Sequence, residues 1–283
     1  MSRKVIRATS VLVSILLSAC LIRVSHAGPT ENAILAAMKL SELPNYSWVS
    51  EVSDDARDYA VEGKTDQSGY TWLRLPMVKS IAERLGPAAE CDIQAIFRGE
   101  NRCVIQTEGG WLRPDELDQF RERLEDEAWA RAMKHGTPLP QPPDGPPAIS
   151  FLSLEIHSPE DDPPYSIAQF AMSRPQDDLG IIVSSFSDLE ATESEATGTL
   201  TEVGARLLLV RGGLEAIHPL AARGSFRLEF KNGMVVKYIL ELEGLVQVER
   251  KKFLVHQTSS TSISDVGTTR LDLPDVVRAK LGD

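Results

Sequence analysis

Cysteine is scarce in this chain. Cys20, Cys91 and Cys103 are the three among 283 residues, too few for the disulfide scaffold that small secreted domains depend on. A chain of this length can bury a full apolar core without one. Histidine is sparse too. His135, His157, His218 and His256 each lack another His or Cys at ligand spacing, so each reads as an ordinary surface or boundary residue and no metal site is expected. Catalytic signatures are also missing: there is no HExxH, no paired CxxC, no Gly-rich phosphate loop and no GxSxG elbow. Without a nucleophile, base and orienter to name, the chain reads as non-enzymatic, and no cofactor is called for.

Positive charge is in deficit as well: 30 Lys and Arg face 41 Asp and Glu, a formal net charge of −11. A surface of this sign is repelled by phosphate backbones and anionic headgroups, which excludes a nucleic-acid partner. Three of the basic residues, Arg3, Lys4 and Arg7, precede an uncharged, mostly apolar stretch from Ala8 to Ile22 that is too short to span a membrane. This is the pattern of a secretory signal peptide covering residues 1–27, which leaves 28–283 as a single exported domain, periplasmic or in the cell envelope, with no transmembrane segment. Two cuts compete. Leu17-Ser18-Ala19-Cys20 has the form of a lipobox and would anchor the chain to a membrane through Cys20, whereas Ser25 and Ala27 form a small-x-small site with cleavage between Ala27 and Gly28. The apolar run continues through Leu21 and Ile22, where a lipoprotein begins its polar tether, and this favours the free form.

The remaining cysteines are expected unpaired. ECDIQAIFRGENRCVIQT reads as two strands around Gly99-Glu100-Asn101, with the residue opposite Cys103 near Ile96 to Arg98. Cys91 would then lie roughly 16 Å along its strand, beyond disulfide reach, unless the first strand starts after it.

Elements follow from periodicity. Thr30-Glu31 caps a helix, ENAILAAMKLSEL, with Ile34, Leu35 and Met38 on one face. NYSWVSEV puts Tyr46, Trp48 and Val52 on one side of a strand, DYAVEGKT runs into an Asp66-to-Gly69 turn, and GYTWLRLPM sets Tyr70 and Trp72 against Leu73 and Leu75. VKSIAERLGP is a short helix. The segment from about 113 to 148 is an insertion: an amphipathic helix with Leu117, Phe120, Leu124 and Ala128 at helical spacing, then the Pro-rich TPLPQPPDGPP. PPYSIAQFAMS suggests a further brief helix, LGIIVSSFSDLEATESEATGTL one or two strands, and LTEVGARLLLV a helix capped by Thr201. VERKKFLVHQTSSTSISDVG and TTRLDLP supply strands, and Asp275 to Leu281 a terminal helix.

The strongest pattern is GSFRLEFKNGMVVKYILELEG. Phe226, Leu228 and Phe230 alternate with Arg227, Glu229 and Lys231, so one face is buried. A three-residue Lys231-Asn232-Gly233 loop pairs Phe230 with Met234, Leu228 with Val236, and Phe226 with Tyr238; a plain two-residue Asn-Gly turn would place Lys237 opposite Leu228. The carboxylate clusters Asp54-Asp55, Glu160-Asp161-Asp162 and Asp177-Asp178 read as solvated loop charge, with calcium binding as the alternative. Trp48, Trp72, Trp111 and Trp129 belong in the core or line a ligand space.

YSWVSEV with VEGKTDQSGYTW, the IFRGENRCVIQTEGGW hairpin, TGTLTEVGARLLL, and FRLEFKNGMVVKYILELEG running into TSISDVGTTRLDLP together resemble the periplasmic lipoprotein-carrier (LolA-like) and LppX-like superfamily. The resemblance implies an α+β fold in which a strongly curved antiparallel sheet, an incomplete barrel, carries helices on its concave side. It further implies a hydrophobic ligand, a lipid or lipoprotein acyl chain, held between sheet and helices. Trp48, Trp72, Phe226, Leu228, Phe230, Val236 and Tyr238 are the candidate lining residues. The alternative is an envelope scaffold or sensor that binds another protein and has no ligand cavity.

Overall fold

The computed structural model describes residues 28–43, 45–54, 58–75, 93–99, 102–107, 110–113, 174–209, 217–248 and 251–282, together with 115, 116, 119, 123, 130 and 134. Cys20, Ala27, Cys91, Trp129, His135, His157, the 160–162 carboxylates, the 78–85 helix, PPYSIAQFAMS and the Pro-rich segment lie outside these. The described positions between 115 and 134 are helical; Leu117, Phe120, Leu124 and Ala128, which carry the expected amphipathic pattern, lie outside the described residues.

Among the described residues eleven strands form one antiparallel sheet in an α+β fold. β1 (Tyr46–Asp54), β2 (Asp58–Thr65), β3 (Tyr70–Leu75), β4 (Ile93–Arg98), β5 (Arg102–Thr107) and β6 (Gly110–Leu112) make one meander. β7 (Phe186–Ala191), β8 (Glu195–Leu200), β9 (Ile217–Lys231), β10 (Met234–Val248) and β11 (Lys251–Ser264) make a second. β1 pairs with β11, from Ser47 opposite Ser264 to Asp54 opposite Gln257, and so joins the two. The order is β6-β5-β4-β3-β2-β1-β11-β10-β9-β8-β7, and the sheet does not close.

Three helices share one core with one face of this sheet: α1 (Pro29–Glu42), α2 (Pro175–Ser185) and α3 (Glu202–Leu209). α1 starts at Pro29 with Gly28 as N-cap, not at Thr30-Glu31, because proline's fixed φ and missing N–H suit a first helical position. Its buried residues are Ala33, Ala36, Ala37 and Leu40, whereas Leu35 and Met38 are 53% and 51% exposed. The expected face was the larger side chains. Small residues let the helix lie close to α2 and the sheet, and that close approach decides the rotation. LGIIV is helical rather than extended, since Pro175 and the acidic Asp177-Asp178 open a helix whose Leu179 and Ile182 are buried. α3 begins as expected, with the Thr201 hydroxyl accepting the Gly204 N–H at 3.2 Å.

The β9–β10 register differs from the three-residue loop expected from the pattern. Lys231 pairs with Met234 and Phe230 with Val235, which leaves a two-residue turn whose Asn232 and Gly233 both have positive φ, 54° and 68°. A bulge at Val236 then shifts the pairing by one, so Glu229 faces Lys237, Leu228 faces Tyr238 and Phe226 faces Leu240. Val235 is buried and Val236 is half-exposed, so Val236 leaves the core face and Val235 takes its place. The extra residue of the bulge is what lets a two-residue turn coexist with an unbroken apolar face.

Rows of side chains then cross the covered face in register. Gly198, Phe226, Leu240, Ser259, Val52 and Tyr59 form one; Ala196, Leu228, Tyr238, Thr261, Ser50 and Val61 form the next. Tyr46, Trp48 and Val52 are buried together, as their alternation requires. The Trp48 indole lies directly on Gly63 of β2, where an added Cβ would sit 2.1 Å from its Cζ2. On the opposite face of β9 to β11, Arg223 pairs with Glu243, and the Arg227 guanidinium reaches Glu195 at 2.8 Å. That side is wet.

The sheet's opposite face at β3 to β5 is covered instead. α4 (Asp275–Leu281) packs Val277 and Leu281 onto Tyr70, Ile96 and Val104. TTRLDLP is not a strand; it leads into α4 and buries Leu273 in the same cluster. Arg102 donates to the Leu281 carbonyl at 2.7 Å and Arg98 to that of Gly282 at 2.8 Å, cations at the negative end of the helix. Lys280 pairs with Glu116, whose carboxylate also accepts the Arg113 backbone N–H at 2.8 Å.

The register yields a direct test: Val235→Asp should abolish cooperative folding, because an unpaired buried charge costs several kcal/mol against a total of about 5 to 15. Val236→Asp should fold. Circular dichroism and urea melts of the pair would refute the bulge if the two variants behaved alike. A second expectation concerns acid. The Arg113 N–H, then Lys280, hold the Glu116 carboxyl below its ordinary pKa. A depressed carboxyl stabilises the fold above its unfolded value, about 4.3, and loses that contribution as pH falls through the lower folded value. The Tm advantage of wild type over Glu116→Gln should therefore be present at pH 7 and fade between about pH 5 and pH 3. An advantage that persists unchanged at the acid end would disprove it.

Candidate functional site

An apolar cavity lies where α1, α2, β7 and β9 meet. Ala33 and Ile34 come from α1, Ile182 and Val183 from α2, Phe186 and Leu189 from β7, and Phe226 and Leu228 from β9. Each wall follows from local sequence: Ile182 and Val183 lie a turn or more beyond Pro175, and Phe226 and Leu228 are alternate residues of one strand face. The Phe226 ring rests on Gly198 of β8, where an added Cβ would approach its Cζ to 2.7 Å. The cavity measures about 10 Å³. It has room for about one water molecule.

Two of the seven candidate lining residues, Phe226 and Leu228, thus form the cavity wall. Tyr238 is buried beside Leu228 on β10, and Phe230 is half-buried at the edge of the same core. Val236 is displaced into the bulge. Trp48 is on the same sheet face, tilted against Tyr46 with ring centres 5.5 Å apart, but it packs on β2 and does not line the cavity. Trp72 is on the other side of the sheet. It packs into the cluster under α4, its Nε1 donates to Gln94 Oε1 at 3.2 Å, and Lys64 Nζ lies 5.5 Å from its ring. Strand alternation separates the two tryptophans, since Trp48 pairs with Gly63, Gly63 with Leu73, and Trp72 is the neighbour of Leu73.

Polar groups are also buried between the helices and the sheet, outside the cavity lining. Asp178 is not solvated loop charge: it lies in the first turn of α2, is buried, and accepts the Tyr238 hydroxyl at 2.8 Å. The signal in the sequence was Pro175 followed by two acids and an apolar run, a helix start. Tyr46 donates to Gln176 Oε1 at 3.2 Å, and burial pushes its phenol pKa up, so it remains a neutral donor. On β11 Gln257, Ser259 and Thr261 are buried on the covered face, a set that the sequence reading passed over.

Cys103 is buried opposite Phe97 and unbridged, and burial raises its thiol pKa, which makes it a poor nucleophile. β4 starts at Ile93, after Cys91. His218 and His256 are exposed. Among the described residues no three His, Cys, Asp or Glu side chains converge on a metal position, and no helix is long and apolar enough to cross a membrane. No protein-family model matches the chain, and no curated protein matches it.

Tyr238→Phe deletes the hydroxyl donated to a buried carboxylate and should cost about 1 to 3 kcal/mol. Urea unfolding should show a lower midpoint at unchanged slope. A midpoint equal to wild type would mean that Asp178 does not depend on Tyr238.

Proposed function

We infer that this chain is a non-enzymatic, exported binding protein that holds a hydrophobic ligand, a lipid or lipoprotein acyl chain, between the helices and the sheet. The observation that carries this reading is the all-apolar cavity beneath α1. α1 is seated there largely through alanines. An alanine methyl gains far less on burial than the roughly 1.5 to 3 kcal/mol of a leucine or methionine, so with Leu40 as its one fully buried large side chain α1 costs less to lift than a helix of its length seated on a leucine face. An acyl chain entering beneath it gains about 0.8 kcal/mol per buried methylene, enough for a dozen to offset opening and association. Ile34 in the cavity wall and exposed Met38 are one turn apart on α1, so apolar surface runs from the cavity out to solvent.

In this reading the sheet is the strongly curved, incomplete barrel of the lipoprotein-carrier superfamily, with α1 to α3 on its concave side and α4 outside. Residues 1–27 direct export, and the choice between the Cys20 tether and cleavage after Ala27 separates a fixed loader from a free shuttle. One observation favours a second reading, an envelope scaffold that docks a protein partner: Leu35 and Met38 on α1 and Val203 and Leu207 on α3 are exposed apolar residues.

Native mass spectrometry of protein purified from its own host decides between them. A co-purifying mass of lipid size, and a rise in Tm when palmitate or phospholipid is added to stripped protein, is the expected result. A clean mass with no thermal response to either would remove the ligand reading and leave the scaffold.

A further inference from the structure

We propose that the ligand is amphipathic and neutral at its polar end, and that Gln257 and Ser259 on β11 receive an ester-type carbonyl; this rests on the reading that an apolar chain enters between helices and sheet. Alternate residues of β11 turn to the covered face, where apolar side chains are the default. At 257, 259 and 261 they are polar instead. All three are buried, Gln257 at 5%, Ser259 at 1% and Thr261 at 1% exposure.

Thr261 has a partner, the Ser50 hydroxyl across the strand pair at 2.8 Å. The other two differ. Gln257 Nε2 and Ser259 Oγ have no hydrogen-bond partner among the described residues. Two such groups side by side work against folding, and leucine and alanine would remove the cost with little change of shape. Their placement gives them a use. Ser259 is in register with Leu240, and Leu240 with Phe226 of the cavity wall, so the polar row runs two strands, about 10 Å, from the cavity. A molecule with its chain against Phe226 and Leu228 would bring its first polar atoms over Leu240 and Leu242 to this row.

The donor set selects the group. Gln257 Nε2 can only donate, and a serine hydroxyl donates or accepts. Tyr238, in register with Thr261, already carries the Asp178 carboxylate on its hydroxyl, so the neighbourhood is unfavourable to a second anion. A neutral acyl ester fits this set better than a free carboxylate or a phosphate does.

The test uses the full exported chain, stripped of lipid, with methyl palmitate and hexadecane as chain-matched probes followed by intrinsic tryptophan fluorescence. Wild type should bind the ester more tightly than the alkane. Gln257→Leu should weaken the ester about tenfold, one hydrogen bond's worth, and leave the alkane unchanged. Ser259→Ala should act in the same direction, and both variants should melt at or above the wild-type temperature. Equal affinity of wild type for the two probes, an ester preference retained by the variants, or variants that melt lower would each overturn the proposal while the apolar-ligand reading stands. Failure of wild type to bind either probe would instead sink that reading, and this one with it.

Discussion

The register of the β9–β10 hairpin is the constraint on which the rest of the fold hangs. Asn232 and Gly233 make the tightest available turn, and the bulge at Val236 then resets the pairing so that Val235, Tyr238, Leu240 and Leu242 all face the helices. β11 takes its register from β10, and β1 from β11. A slip of one residue would bring Lys237, Glu241 and Glu243 to the core and send Tyr238, Leu240 and Leu242 outward. The charge ladder from Arg223 to Glu243 on the wet side and the Tyr238–Asp178 bond on the dry side oppose that slip from both faces.

With the register set, the long sheet faces two environments. One face meets α1 to α3 along the second meander and buries Trp48 over Gly63; the other is wet over β9 to β11 and covered by α4 over β3 to β5. The C-terminal helix is held by arginines on β4 and β5 and by Glu116, so charge as well as packing fixes it. This division assigns Trp72 to α4 and leaves the cavity to residues of the second meander and its helices.

The covered face combines features that a protein selected for stability alone would not retain. Its first helix is seated on three alanines and Leu40 while Leu35 and Met38 meet water, and β11 buries an amide and a hydroxyl without partners among the described residues. Both lower stability at one interface. Both also make sense if that interface opens to admit a molecule with an apolar chain and a polar end, since binding sites are drawn from the less stable parts of a fold.

Much of the sheet was written in the chain itself. Tyr46, Trp48 and Val52 alternate as they pack, the Asp66-to-Gly69 turn and the Gly99 hairpin stand where their residues place them, and Thr201 caps its helix. Period-two and capping signals are local, so neighbouring residues suffice to determine them. That Phe226 and Leu228 share one buried face was legible for the same reason. What the chain alone left open depends on partners remote in sequence: which face of α1 is buried is decided by the close approach of α2 and the sheet, and the hairpin loop by a bulge whose benefit appears only when β11 and α2 are in place. That Trp48 and Trp72 fall on opposite faces, and that Gln257, Ser259 and Asp178 are buried, are likewise tertiary outcomes. Burial is a property of what covers a residue, and for these the covering segments come from distant parts of the chain.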